Sequence, residues 1–233
     1  MREVRFVYFD LDDTLLDHRR AQDLALGDLH LQFSSLGTFP LDRVRAEYAR
    51  VNGRVWTEYA AGTRDKEGTR SGRFSLLFES LGIEEDAMRA ASVYLEAYAD
   101  HWVLADGALD ALKQIAGARP TGLLTNGFAE AQRAKLARFP EMAALFSTVV
   151  ISEEEGVLKP HPELFRIASE RAGADPEEIL YVGDSLTSDV EGGLAAGWQV
   201  IWYAEAGESE RPNVPRFRNW AELPSLIDVG ASR

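Results

Sequence analysis

Asp10, Asp12 and Asp13 follow directly on the apolar, aromatic run Val4-Arg5-Phe6-Val7-Tyr8-Phe9, so a strand pattern ends in three carboxylates. Carboxylates held a few ångströms apart oppose one another's ionisation, and the group must either take up a proton or gather around a cation. An all-oxygen donor set favours magnesium. In an extended segment, residues two apart project to the same side, which aims Asp10 and Asp12 together at whatever lies beyond the strand. Two aligned acids beside a hard cation suggest catalysis. The plainer alternative is a strand followed by an acidic turn, and Asp13 is read as a turn residue.

Three further segments bear on that choice. Thr121-Gly122-Leu123-Leu124-Thr125-Asn126-Gly127 is a short apolar run that ends in a hydroxyl, an amide and a glycine, groups that can donate to a phosphate oxygen or form an ordinary turn. Val157-Leu158-Lys159-Pro160 places one lysine before a proline, which favours an extended backbone and fixes where the ammonium leaves it. Ile179-Leu180-Tyr181-Val182-Gly183-Asp184-Ser185-Leu186-Thr187-Ser188-Asp189 repeats the opening theme, with a buried-strand pattern, a glycine turn and two more carboxylates. Ser188 and Glu191 have capping-box spacing, so Asp189 has a structural alternative: an acid in a first helical turn that complements the helix dipole.

Taken in order, Asp10-x-Asp12-x-Thr14, Thr125-Asn126, Lys159-Pro160 and Gly183-Asp184…Asp189 resemble the motifs of the haloacid dehalogenase superfamily of aspartyl-nucleophile hydrolases. No motif position departs from the pattern, and the resemblance runs from near the N-terminus to Asp189. It implies that Asp10 attacks phosphorus to form an aspartyl-phosphate, and that Asp12 acts first as acid and then as base. It further implies that Lys159 neutralises Asp10 and the phosphate oxygens, and that Thr125 and Asn126 donate to the equatorial oxygens. Mg2+ would be held by the Asp10 carboxylate, the Asp12 backbone carbonyl, Asp184 and Asp189. Three competing functions are weighed against a phosphatase. A 2-haloacid dehalogenase needs no second acid, which Asp12 supplies. A phosphomutase must keep water from the intermediate, and no cap feature in the sequence does so. A non-catalytic binding protein would have lost at least one of the motifs.

Composition is consistent with such an enzyme. The chain of 233 residues is long enough for one catalytic core and an inserted subdomain. It contains no cysteine, which excludes disulfides, thiol catalysis and cysteine metal sites. No apolar run reaches the length of a membrane span, and Met1-Arg2-Glu3 leads straight into a strand, so a soluble, unprocessed, cytoplasmic protein is expected. A formal net charge of −13 argues against polymeric nucleic acid and acidic bilayers as partners. The expected partner is a small phosphorylated substrate, bound by a monomer or homodimer.

The elements that must position these residues form a core interrupted once. Residues 17–102 show no convincing strand but several helical stripes, the clearest being Leu41, Val44, Tyr48, Val51, Val55 and Tyr59. A second stripe is read through Met88, Ala91, Leu95, Tyr98 and Trp102, and Gly62 to Gly72 is read as a polar loop before Phe74, Leu77, Phe78 and Leu81 resume the pattern. From Leu109 onward helix and strand alternate. Leu109-Leu112-Ile115 precedes the Thr121 strand, Leu164-Phe165-Ile167-Ala168 precedes the Ile179 strand, and Gln199 to Tyr203 forms a later strand. Beyond Glu205 the chain turns polar and proline-containing, then offers an apolar patch at Trp220, Leu223, Leu226 and Ile227 that is expected to pack back onto the core. The expected fold class is α/β: a Rossmann-like parallel sheet core from residues 1–16 and 103–233, with an all-helical cap, residues 17–102, inserted after the first strand. In such a sheet the ligand site lies beyond the carboxyl ends of the strands, where all four motifs fall.

Within the insertion, Val51-Asn52…Trp56…Tyr59 and Gly72-Arg73-Phe74, with Thr125-Asn126-Gly127-Phe128 and Ile151-Ser152-Glu153-Glu154, resemble the bacterial noncanonical pyrimidine 5′-nucleotidases. That resemblance implies a nucleoside 5′-monophosphate as substrate; the alternative is a sugar or acylneuraminate phosphate. Trp56 and Arg73 are the candidate cap residues, the first to stack on a base and the second to attract a dianion. Each has a plainer alternative. Large aromatics such as Trp56 and Trp198 usually pack. Arg43, Arg45, Arg50, Arg54, Arg64, Lys66, Arg70 and Arg73 could be solvated helix charges.

Overall fold

The computed structural model of the chain describes residues 3–204 and 213–229. The polar, proline-bearing stretch expected beyond Glu205 lies, up to Pro212, outside the described residues. The chain divides into two compact units, one holding the described residues of Met1–Asp17 and Leu104–Arg233 and the other holding His18–Val103.

The first unit is built on a parallel sheet. Its strands are β1 (Phe6–Phe9), β2 (Thr121–Thr125), β3 (Phe146–Ile151), β4 (Ile179–Gly183), β5 (Gln199–Tyr203) and β6 (Arg216–Phe217). They lie in the order β3-β2-β1-β4-β5-β6, all parallel. The central strands β1, β2 and β4 are buried along their whole length, which explains why they read as continuous apolar runs rather than alternating ones. On one face Tyr8 stacks on Trp198 with ring centroids 5.3 Å apart, and Phe165 meets Trp198 edge-on at 5.2 Å, so Trp198 packs in the core. Trp220, Leu223 and Ile227 are buried as well, and Trp220 lies 6.3 Å from the Phe9 ring. Edge strand β3 was not expected. Only Val150 and Ile151 are fully buried on it, and Ser147 and Thr148 interrupt its apolar character, so no periodic signal marks it.

The chain runs from β1 to β2 and β3 on one side, then crosses to β4, β5 and β6 on the other. The carboxyl ends of β1 and β4 therefore flank the point where strand order reverses, which is where open α/β sheets leave a crevice.

The second unit consists of α1 (His18–Gln32), α2 (Leu41–Ala60), α3 (Lys66–Leu81) and α4 (Ala87–Asp100). Its core is built around Ala25, Leu29, Val44, Tyr48, Phe74 and Tyr94. The α2 stripe buries Val44, Tyr48, Val51 and Val55 as its spacing requires. Two expectations here are corrected. The segment Gly62 to Gly72 is a loop only as far as Asp65, which caps α3 by accepting from the Gly68 N–H at 2.7 Å, and the helix begins at Lys66. Gly68 and Gly72 are tolerated because the Arg64 side chain lies across them: its Nη1 bonds the Gly68 carbonyl at 3.1 Å and sits 2.6 Å from where a Cβ on residue 72 would be. The second stripe is corrected in part. Ala91 and Tyr98 are buried and Leu95 and Trp102 pack against the core, but Met88 is 57% exposed, and Ala90, Tyr94 and Ala97 complete the buried face of α4. Alanines give little apolar signal in a sequence yet allow close helix approach, and Tyr94 stacks on Tyr98 with centroids 5.8 Å apart.

The remaining helices, α5 (Ala108–Ala118), α6 (Ala129–Arg138), α7 (Pro140–Ala143), α8 (Ser152–Glu155), α9 (Pro162–Ala172), α10 (Gly192–Ala195) and α11 (Leu223–Val229), belong to the sheet unit. No helix of the described residues is long and apolar enough to cross a membrane.

Candidate active site

Strand β1 carries the chain into the sheet interior and releases it at Asp10, whose N–H still donates to the Val182 carbonyl of β4 at 2.9 Å. That bond fixes Asp10 beside β4, and β4 ends at Gly183 just before Asp184. After β4 the chain enters a π-helical turn, Leu186–Glu191, with the Val190 N–H reaching back to the Ser185 carbonyl at 3.1 Å. The capping expectation at this turn is corrected: Ser185, not Ser188, is the cap, and its hydroxyl accepts from the Ser188 N–H at 3.2 Å. Asp189 does more than complement a helix dipole. Its Oδ2 accepts from the Ser185 N–H at 2.9 Å and its Oδ1 lies 2.7 Å from the Lys159 ammonium.

Oxygens of Asp10, Asp184 and Asp189 lie within 4.8 Å of one another, a grouping that could hold a metal ion. Lys159 inserts among them, 2.7 Å from Asp10 Oδ1 and 2.7 Å from Asp189 Oδ1, with the Leu124 carbonyl at 3.2 Å and the Tyr181 hydroxyl at 2.6 Å. Two of the three carboxylates, Asp10 and Asp189, thus share one buried ammonium. Burial pushes the Asp10 carboxyl well above the usual carboxylate range; Lys159 opposes this, but Asp189 and Asp184 reinforce it. Asp184 is pushed up to about 7 by burial, with Asp189 and Asp13 adding to the rise. Burial alone would pull the Lys159 ammonium down, yet Asp10 and Asp189 outweigh it and hold the group protonated. A site so poor in positive charge is chemically suited to a divalent cation, and its all-oxygen donors suit a hard one.

Glycine at 183 is a steric requirement. A Cβ there would sit 2.4 Å from Asp189 Oδ2, so any side chain would push Asp189 out of the cluster. Thr14 donates to Asp184 Oδ1 at 3.1 Å, and the Trp202 indole N–H donates to the Asp184 carbonyl at 2.7 Å, so both the side chain and the backbone of Asp184 are held.

Asp12 does not join this cluster with its carboxylate. The extended backbone stops at Phe9, and Asp13 adopts φ 58°, a left-handed turn residue. Two-residue alternation no longer applies past Phe9, and the Asp12 carboxylate turns toward α6. There Lys135 Nζ contacts both of its oxygens at 2.7 Å, and Gln132 Nε2 donates to Oδ2 at 3.1 Å. The same Gln132 amide donates to the Thr125 hydroxyl at 2.8 Å, which ties Thr125 and Asp12 to one side chain.

Asn126 also differs from expectation. Its side-chain amide donates to the Lys159 carbonyl at 3.0 Å and accepts from the Lys159 N–H at 2.8 Å, a reciprocal clasp that holds the backbone of the lysine. Ser152, Glu153 and Glu154 serve the neighbouring turn: Ser152 accepts from the Gly127 N–H at 3.1 Å, Glu153 from the Ala129 N–H at 2.7 Å, and Glu154 pairs with Arg133 at 2.8 Å.

Sequence reasoning missed Gln132, Lys135 and Tyr181. For the first two a signal existed. Phe128, Gln132, Lys135 and Leu136 form the buried face of α6 at helical spacing, and two polar groups on such a face need partners. Tyr181 reads as an ordinary strand aromatic until β4 is paired, when its hydroxyl reaches Lys159 and comes within 2.7 Å of the Leu124 carbonyl.

In the helical unit, Arg45, Arg50, Arg54 and Arg64 pair with carboxylates, as solvated helix charges do. Arg73 is different. It is 8% exposed, its guanidinium lies 5.2 Å from the Tyr94 centroid and 5.6 Å from that of Phe74, and it reaches Asn52 Oδ1 at 3.4 Å. Trp56 is half-buried, edge-on to Tyr59 at 5.6 Å.

Residues 4–197 match the model of a hydrolase family described as haloacid dehalogenase-like hydrolase. The chain is 31% identical to the HAD-hydrolase YfnB of Bacillus subtilis over 98% of this chain and 95% of that protein. It is 33% identical to the pyrimidine 5′-nucleotidase YjjG of Escherichia coli, covering 89% of this chain and 88% of the relative. It is also 33% identical to the pyrimidine 5′-nucleotidase PynA of Streptococcus pneumoniae, covering 85% and 83%. A crystal structure of YfnB bound to magnesium superposes with a TM-score of 0.81 at 29% identity, over 97% of this chain and 100% of that one.

Proposed function

Because the chain belongs to the haloacid dehalogenase-like hydrolases, we propose that it is a magnesium-dependent phosphate monoester hydrolase working through an aspartyl-phosphate, with pyrimidine nucleoside 5′-monophosphates as substrates. The observation that carries the chemistry is the buried group of Asp10, Asp184 and Asp189 around Lys159. Asp10, Asp184 and Asp189 would hold the metal together with the Asp12 backbone carbonyl, and the ion would supply charge neutralisation for the phosphoryl group.

Asp10 is the nucleophile, held at the end of β1 by its backbone bond to Val182. Lys159 keeps one Asp10 oxygen fixed and offers its charge to the incoming phosphate. The Thr125 hydroxyl and the backbone N–H of Asn126 are the donors assigned to phosphate oxygens, since the Asn126 side chain is committed to Lys159. Asp12 protonates the departing alkoxide oxygen as the bond from phosphorus to that oxygen breaks and the bond to Asp10 forms. It then takes a proton from the water that attacks phosphorus and frees Asp10.

Support for the nucleotide comes from the likeness to YjjG and PynA. The test is a panel assay of purified protein with magnesium against UMP, CMP, dTMP, purine nucleotides, sugar phosphates and an aryl phosphate. Pyrimidine monophosphates should give the highest kcat/KM. A clear preference for sugar phosphates would overturn the substrate, and no turnover on any of them would overturn the enzyme reading.

A further inference from the structure

The Asp12 carboxylate, like the Thr125 hydroxyl, finds partners on α6, and the charged one is costly to bury. Lys135 is 3% exposed, and an ammonium at that depth must be paired and hydrogen-bonded to be tolerated. Its partners are both Asp12 oxygens at 2.7 Å and the Gln132 carbonyl oxygen at 2.9 Å. Gln132 in turn spans Lys135, Asp12, Thr125 and the Asn126 carbonyl at 3.1 Å. The two residues sit three apart on one face of α6, and the turn before that helix follows directly on β2 and Thr125. The helix therefore carries a two-residue cradle whose position is tied to the phosphate-binding strand end.

We propose that Lys135, braced by Gln132, is a positioning residue that aims the Asp12 carboxyl group at the leaving-group oxygen and so sets how well the enzyme cleaves esters of poor leaving groups. The proposal rests on the assignment of Asp12 as the acid. A carboxyl group held through both oxygens has its direction fixed, and proton transfer in the transition state demands a near-linear approach within hydrogen-bond reach. Without Lys135 the group would lose the contact that spans both of its oxygens while the Gln132 amide stays on Oδ2, and its direction would be less tightly fixed. The cost would fall on leaving groups that need a proton and would spare those that depart as stable anions.

The test measures single-turnover release of the leaving group with magnesium across a series from 2,4-dinitrophenyl phosphate, through p-nitrophenyl phosphate, to alkyl phosphates, for wild type, Asp12→Asn, Lys135→Met and Lys135→Arg. General acid catalysis is worth about 10²–10⁴-fold, so Asp12→Asn should lose that much on alkyl esters and little on the dinitrophenyl ester. Lys135→Met should show the same pattern at smaller amplitude, about 10–100-fold on alkyl esters, and Lys135→Arg should restore most of it. Lys135→Gln, which keeps a donor to Asp12, provides a second neutral variant if Lys135→Met does not fold, and should fall between wild type and Asp12→Asn. A uniform loss across the series for the Lys135 variants, with Asp12→Asn still selective, would make Lys135 merely structural and overturn the proposal. A uniform loss for Asp12→Asn itself would overturn the acid assignment, and the proposal with it.

Discussion

Lys159 is the residue on which the charge balance of the site turns. It lies 2.7 Å from both Asp10 and Asp189 and is almost wholly buried. Removing one partner of a buried ion pair typically costs about 3–5 kcal/mol, because the remaining charges are left uncompensated. Lys159→Met should therefore lower Tm sharply and abolish turnover, and magnesium should restore part of the lost stability; a thermal melt with and without the ion checks this. Gly183→Ala is expected to weaken magnesium binding at least tenfold, measured by calorimetric titration, since a Cβ there would sit 2.4 Å from Asp189 Oδ2. Unchanged affinity would mean that Asp189 is not needed for the metal. The acids were legible in the sequence because charged groups at the ends of apolar strands must find one another or a ligand to be tolerated there. Lys159 lies in a turn between α8 and α9, not at a strand end, and was marked only by its place in the order of motifs. The aim of Asp12 was not legible. It depends on a left-handed turn at Asp13 and on an ammonium 123 residues away in the chain, and neither leaves a local mark near Asp12.

The parallel strands bring the motifs together, since β1, β2 and β4 are neighbours and each ends at a motif. Those strands were readable as apolar runs bounded by turn residues, and so was α2, whose stripe is long and regular. Edge strand β3 and the start of α3 were not, for opposite reasons. β3 is too little buried to need a periodic pattern, and α3 begins in a glycine-bearing polar stretch whose helicity rests on Asp65 and on Arg64 folding over Gly68 and Gly72. Asp65→Ala should lower stability by about 1 kcal/mol, the usual worth of an N-cap. A chemical denaturation curve would show it as a shifted midpoint at constant slope, and no shift would mean that Arg64 alone sets the start of the helix.

At the scale of the molecule, the acid cluster links stability to pH and to metal. Burial holds Asp184 up to about 7 and raises Asp10 in the same direction, whereas both ionise in the ordinary carboxylate range when the chain unfolds. Between those values the folded metal-free protein binds more protons than the unfolded chain, so this contribution to stability is present at low pH and is lost as pH rises through about 7. Metal-free protein should accordingly melt lower at pH 8 than at pH 6, Asp184→Asn should narrow that gap, and magnesium should raise Tm more at pH 8 than at pH 6. A metal-free Tm that rises from pH 6 to pH 8 would contradict the charge balance described for the cluster. The central claim, that Asp10 is the nucleophile, is tested most directly by trapping its product. Asp12→Asn should still accept a phosphoryl group from an activated aryl phosphate but should release it slowly, because water is no longer activated. Acid quench within the first turnover, borohydride reduction and peptide mass spectrometry should then find residue 10 converted to homoserine. A burst of phenol release with residue 10 unmodified, or with another side chain carrying the phosphoryl group, would contradict the account.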